Sequence, residues 1–179
     1  MVIAAKNKPQ KRLLISAEEI SYQVQRLAKK ISVDYQGGDL VLVGVLKGAF
    51  IFLADLARQL TIPTEIDFVR LASYGASTTS SGNVRIINDV ELSLRGRDVV
   101  IVEDIIDSGL TMQFLREHLL AHQPRSLKVC AFLDKRERRT TPVPIDYVAL
   151  QLDKGFLVGY GLDCNEAHRH LPDICELIL

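Results

Sequence analysis

The stretch V-V-I-V-E-D-I-I-D-S-G-L-T, residues 99–111, gathers three carboxylates and a turn suited to anions within a few positions. A buried strand is expected over residues 98–102, ending in Glu103 and Asp104. The chain then crosses a turn at Asp107-Ser108-Gly109 and enters a helix over about residues 110–120. Ligands of open parallel sheets bind beyond the carboxyl ends of the strands, so these side chains stand where chemistry is expected. Ser108, Gly109 and Thr111 suit an anion, because backbone N–H groups, hydroxyls and the helix dipole converge at such a turn. No lysine follows the glycine, so this is not a Walker loop, nor is it GxGxxG. Three acids beside a phosphate cradle repel the phosphate unless they serve something else. Diol hydroxyls, a magnesium ion or a proton to be removed are the candidates. A strand end with solvated acids before an ordinary capped helix accounts for the same residues equally well.

The elements that must position these groups follow from periodicity. Ser16 with Glu19 reads as a capping box opening an amphipathic helix, with Ile20, Val24, Leu27, Ala28 and Ile31 on one face and Gly37-Gly38 closing the unit. Residues 40–46 are nearly all apolar, as in a strand covered on both faces. Phe52, Leu53, Leu56 and Leu60 return to helical spacing until Pro63. Further strands are expected at residues 65–71, 84–87, 126–133 and 145–150. Residues 73–83, SYGASTTSSGN, hold almost no large apolar side chains and read as a loop. Buried strands alternating with helices give an α/β fold with a mainly parallel sheet. The tail, residues 155–179, is short-pieced and polar, which suits a flap.

Composition narrows the classes. At 179 residues, one domain or one domain with a small flap fits. Lys+Arg and Asp+Glu both number 22, so there is no global pull toward nucleic acid or anionic lipid. Cys130, Cys164 and Cys175 lack CxxC spacing, which argues against a disulfide framework or a structural zinc and for a reducing cytoplasm. The most apolar stretch, residues 40–57, is broken by Lys47 and Asp55, so no membrane span is expected.

The acidic segment closely resembles the 5-phosphoribosyl diphosphate signature of the hypoxanthine-guanine phosphoribosyltransferases, and the resemblance runs from about Leu40 to Leu179. It implies a type I phosphoribosyltransferase fold over residues 1–179, with a hood from residues 151–179 and part of the N-terminus. It also implies Mg2+-dependent transfer of the phosphoribosyl group to hypoxanthine or guanine, and a homodimer or homotetramer. By the same resemblance, Glu103 and Asp104 engage the ribose hydroxyls and a first magnesium, and Asp107 is the general base. Ile105 and Ile106 lie within the signature, and Ser108, Gly109, Leu110 and Thr111 form the 5′-phosphate loop. Leu46-Lys47-Gly48 matches the diphosphate loop, in which Lys47 and Gly48 bind and a cis peptide is usual. Ser73 and Tyr74 match a loop that closes over the site. Lys135 matches the donor to the purine 6-oxo group, which selects 6-oxopurines over adenine. Phe156 matches the ring that stacks on the purine, Leu157 a main-chain contact where the family more often has Val, Asp163 a ligand of a second magnesium, and Arg169 a diphosphate contact. Arg138 and Arg139 read as solvated basic residues, and His168 and His170 as surface or flap residues.

Two rivals come from other classes. One is a regulator of the same fold that binds nucleotide or RNA. Its catalysis would be lost, yet Lys135, Phe156 and Asp163 are retained and zero net charge gives no RNA footprint. The other is a phospho-acceptor receiver, whose acidic pair ends the first strand of the domain, whereas here the pair comes after residues 1–102.

Overall fold

The alternation of apolar runs and helical stripes is realised as two sheets and three helices in a computed structural model that describes residues 10–74 and 83–178. In chain order the elements are β1 (Gln10–Ile15), α1 (Ala17–Asp34), β2 (Leu40–Leu46), α2 (Phe50–Gln59), β3 (Thr64–Tyr74), β4 (Asn83–Asn88), β5 (Asp98–Ile106), α3 (Leu110–Leu120), β6 (Ser126–Lys135), β7 (Tyr147–Leu152), β8 (Leu157–Val158) and β9 (Ile174–Ile178). The larger sheet has the order β4-β3-β2-β5-β6-β7. All its neighbours are parallel except the β3/β4 pair. From β2 the order runs one way to β3 and the other way to β5, so a crevice opens where their carboxyl ends diverge.

Strands β2 and β5 are apolar because both faces of the sheet are covered. One cluster joins Leu40, Leu42, Val100, Val102 and Phe132 to α1 and α2. The other joins Val41, Val43, Val99, Ile101 and Val129 to Met112, Leu115 and Leu119 of α3. Helix α1 starts as its sequence predicts: the Ser16 Oγ accepts the Glu19 N–H at 3.3 Å, and the expected apolar stripe is buried. The reciprocal half of the box is replaced, because the Glu19 carboxylate accepts from Gln23 instead.

Three boundaries differ from the sequence reading. Strand β5 does not stop at Val102 but continues through Glu103 and Asp104 to Ile106, paired with β6 as far as Ile106↔Asp134. Acidic side chains interrupted the apolar pattern without interrupting the backbone ladder. The expected loop is narrower, since Ser73 and Tyr74 end β3, opposite Val84 and Asn83 of β4. The closing motion expected of residues 75–82 lies outside the described residues. Strand β1, mostly exposed, was not legible as a strand. It pairs antiparallel with β9, which pairs with β8, making a separate three-stranded sheet from the two ends of the chain.

Candidate active site

The carboxyl ends of β2, β5 and β6 deliver Lys47, the residues 103–107 and Lys135 to one edge of the sheet. The Leu46–Lys47 peptide is cis. Gly48 leaves room that only a missing side chain can provide, because a Cβ there would run into the Asp104 carboxylate. Glu103 is buried, at 8% exposure, and its pKa stands well above the usual carboxylate range. Burial is the main cause and the neighbouring Asp104 carboxyl the second. Burial also raises Asp104, although the Ile105 N–H donates to its Oδ1 at 3.0 Å and Arg169 lies near enough to oppose the shift. These are the marks of a carboxylate pair lacking a countercharge.

A cleft of about 450 Å³ brings together Asp104, Ile105, Asp107, Lys135, Phe156, Leu157 and Asp163. The Asp107 Oδ2 lies 3.9 Å from the Lys135 Nζ, and the Asp107 Oδ1 is buried without a hydrogen-bond partner among the described residues. Lys135 is itself buried, with Glu137 3.6 Å away. Phe156 keeps 46% of its surface exposed, so a large ring stands open at the cleft, while Leu157 behind it is buried. A smaller hollow of about 160 Å³, sharing Ile105 and Asp107 with the cleft, is lined by Glu103, Ile106, Ser108, Gly109 and Thr111. Gly109, at φ +88°, is the N-cap of α3 and has no side chain to satisfy the first turn. The Leu110 N–H donates to the Ser108 Oγ at 3.4 Å, and the first-turn N–H groups after it are left to face an anion.

The loop between β8 and β9 supplies the remaining groups. Arg169 donates to the Gly161 carbonyl at 2.6 Å and pairs with Asp163 at 2.7 Å, and its buried Nε has no partner among the described residues. The Gly161 position, at φ +98°, lies so close to the Gly48 carbonyl that a Cβ could not fit, which ties this loop to the Lys47 turn. Glu166 sits between the two expected diphosphate cations, 3.0 Å from Lys47 and 3.4 Å from Arg169. Its backbone N–H donates to the Asp163 Oδ2 at 2.8 Å. Lys47 is the chief cause of a lowered Glu166 pKa. Ser73 and Tyr74 end β3, and their side chains fall outside what the structure describes.

Two residues escaped the sequence reading. Glu166 carried no motif. Arg139 is not the solvated residue expected from its basic neighbours: it donates to the carbonyls of Asp107 at 2.8 Å and Ile106 at 2.9 Å and to the Asp134 carboxylate at 2.5 Å. Its guanidinium fork satisfies two strand ends at once, clamping the acidic turn to the Lys135 strand. A basic residue a few positions past a strand end gives no hint of this, because its partners are backbone carbonyls. Arg138, by contrast, is exposed, as expected.

Glu103 and Asp104 are adjacent hard oxygen donors, both desolvated, so the pair fits a hard divalent cation, while Asp163 lines the neighbouring cleft and pairs with Arg169.

The chain matches a family model described as phosphoribosyl transferase domain over residues 14–165. It is similar to the hypoxanthine-guanine phosphoribosyltransferase of Mycobacterium avium, 46% identical over 173 residues that cover 93% of this chain and 85% of that protein. It is also 41% identical to the hypoxanthine phosphoribosyltransferase of Salmonella typhimurium, covering 93% of this chain and 95% of that one. Among solved structures, a hypoxanthine-guanine phosphoribosyltransferase from Bacillus anthracis superposes with a TM-score of 0.89 at 42% identity, over 96% of this chain and 99% of that one.

Proposed function

The chain belongs to the phosphoribosyltransferase family, and from that premise we propose that it transfers the 5-phosphoribosyl group of 5-phosphoribosyl diphosphate to hypoxanthine or guanine in purine salvage. The observation that carries the reading is the cleft in which a buried lysine, an aspartate with an unpartnered oxygen and an exposed phenylalanine face one another. In it Phe156 stacks on the purine, Leu157 offers main-chain groups, and Lys135 donates to the 6-oxo oxygen. Adenine presents an amino group there, which leaves two donors opposed and a buried charge unpaired. Asp107 removes the N7 proton as N9 attacks the anomeric carbon. Ser108, Gly109, Leu110 and Thr111 hold the 5′-phosphate, and Lys47, Gly48 and Arg169 hold the diphosphate as it leaves. Ser73 and Tyr74 begin the loop that excludes water from the sugar cation.

The cations we propose are Mg2+, a first held by Glu103 and Asp104 and a second by Asp163. When bound, they would supply charge neutralisation to the diphosphate and orient the ribose diol. In the same reading the protein works in the cytoplasm as a homodimer or homotetramer. Turnover with 5-phosphoribosyl diphosphate and Mg2+ tests the proposal, with hypoxanthine, guanine, xanthine, adenine and uracil offered in parallel. Nucleotide formation from 6-oxopurines, with adenine and uracil inert, is the expected result. No turnover from folded protein would reject it in favour of a nucleotide-binding regulator.

Glu166 holds the seat that the diphosphate must take, since the leaving group has to displace this carboxylate from Lys47 and Arg169. Glu166→Gln keeps the shape and removes the charge. The expected outcome is a KM for 5-phosphoribosyl diphosphate several-fold lower, stronger product inhibition by inorganic diphosphate and little change in the KM for the purine. Steady-state kinetics with each substrate varied in turn checks this, and an unchanged diphosphate affinity would rule out the displacement.

A further inference from the structure

Away from the cleft, the turn after β4, the last turn of α3 and the turn that follows it place three metal-ligating side chains together: Asp89, His118 and His122. His118 is in α3 and His122 two residues past its end, and their ring centroids lie 5.1 Å apart. The His118 Nε2 lies 2.9 Å from the Asp89 Oδ1 and 2.8 Å from its Oδ2, and the His122 Nε2 lies 3.4 Å from the His118 Nε2. All three ligand atoms fall within 4.8 Å of one another. From these contacts we propose that Asp89, His118 and His122 form a binding site for a borderline divalent transition metal, Zn2+ being the natural occupant.

Proton bookkeeping is the first argument. Neutral His118 can place only one proton on Nε2, and that nitrogen faces two carboxylate oxygens and a second imidazole nitrogen. Either that single proton is shared among three lone pairs, or it sits on Nδ1 and the bare His118 Nε2 is set against the Asp89 carboxylate. A metal ion accepts all of those lone pairs together with that of His118. Spacing is the second. Zinc bonds of about 2.0–2.2 Å at tetrahedral angles put neighbouring ligand atoms roughly 3.3–3.5 Å apart. The two histidine nitrogens already stand at that separation. The Asp89 oxygens need to recede by only about half an ångström from His118.

Preorganisation is the third. The Asp89 Oδ1 accepts the Val90 N–H at 2.8 Å, which fixes the carboxylate. Next along the chain, the buried Asp67 carboxylate accepts the N–H groups of Glu91 at 2.7 Å and Leu92 at 2.8 Å, pinning the turn to β3. Two imidazoles and one carboxylate form a donor set that suits zinc, nickel or copper better than magnesium, and three protein ligands leave a fourth position for water or an exogenous ligand. The ion would join the β3/β4 edge of the sheet to α3, whose other end opens at Gly109.

The test titrates chelator-treated protein with Zn2+ by calorimetry in buffer containing excess Mg2+, comparing the wild-type chain with His122→Ala and Asp89→Asn. Co2+ is used as a spectroscopic probe of the same three proteins. The proposal requires one high-affinity zinc per wild-type chain and visible absorption typical of low-coordinate Co2+. It also requires affinity at least about tenfold weaker in each variant. Thermal midpoints without metal report whether the variants fold. Equal zinc affinity in all three folded proteins, or octahedral Co2+ spectra throughout, would overturn it. Because binding is read directly, the result does not depend on the phosphoribosyl-transfer reading.

Discussion

Replacing Asp107 by Asn is expected to reduce turnover about a hundred- to ten-thousand-fold while leaving nucleotide binding close to that of the parent chain. The change preserves size and removes only the ability to take a proton. The Asp107 Oδ1 is buried and has no partner among the described residues, while the Oδ2 is 3.9 Å from the Lys135 Nζ. A buried acceptor without a donor is costly, so such a group is retained where a ligand completes it. The purine N7–H is the donor that the proposed reaction brings. In the Asn variant an amide N–H can point at N7, which still suits the nucleotide product, whose N7 carries no proton. The KM for 5-phosphoribosyl diphosphate should therefore move little and the loss should fall on kcat. Kinetics and nucleotide titration of the same preparation separate the two effects, and near-normal kcat would remove Asp107 from the proton-transfer role.

How much of this was legible in the sequence depends on the range of the interaction. The residues 98–102 read as a strand because five successive apolar or edge positions need no partner to be recognised, and the start of α3 at Leu110 followed from Gly109. The helix stripe from Ile20 to Ile31 was equally plain. What failed depended on distant partners. Strand β1 carries mostly exposed side chains, and its pairing with β9 joins Gln10 to Ile178 across the whole chain. Arg139 looks like its exposed neighbours until the carbonyls of Ile106 and Asp107 are placed beside it. Glu166 gains meaning only when Lys47, far away in sequence, meets it at 3.0 Å. The His118/His122 spacing was a readable signal that went unused, because its third member, Asp89, sits on a different element. Local chemistry is written in the sequence, whereas clamps and counter-charges between elements appear only once the chain has folded.

Glu103→Gln is expected to abolish Mg2+-dependent turnover and, in the same protein, to raise the melting temperature of the metal-free chain at neutral pH. The two effects share one cause. Glu103 is buried beside Asp104, and burial first, then the neighbouring carboxyl, push its pKa well up. Between the unfolded and folded pKa values the native state holds a proton that the unfolded chain has lost. Stability is therefore greatest in mild acid and falls as pH rises through that window, until the folded-state group is ionised as well. Glutamine carries no charge to desolvate, so the variant should show a flatter pH–stability profile and its largest gain above the window. Adding Mg2+ should stabilise the wild-type chain increasingly as pH rises, because the cation replaces a proton. The same addition should stabilise the variant far less. Melting curves from mild acid to mild alkali, with and without Mg2+, test every part of this. A variant that melts below the wild-type chain at all pH values would show that the Glu103 carboxylate is held for packing and hydrogen bonding. A stabilised but inactive variant would show that the fold bears an unfavourable acidic pair at this strand end because the reaction needs it.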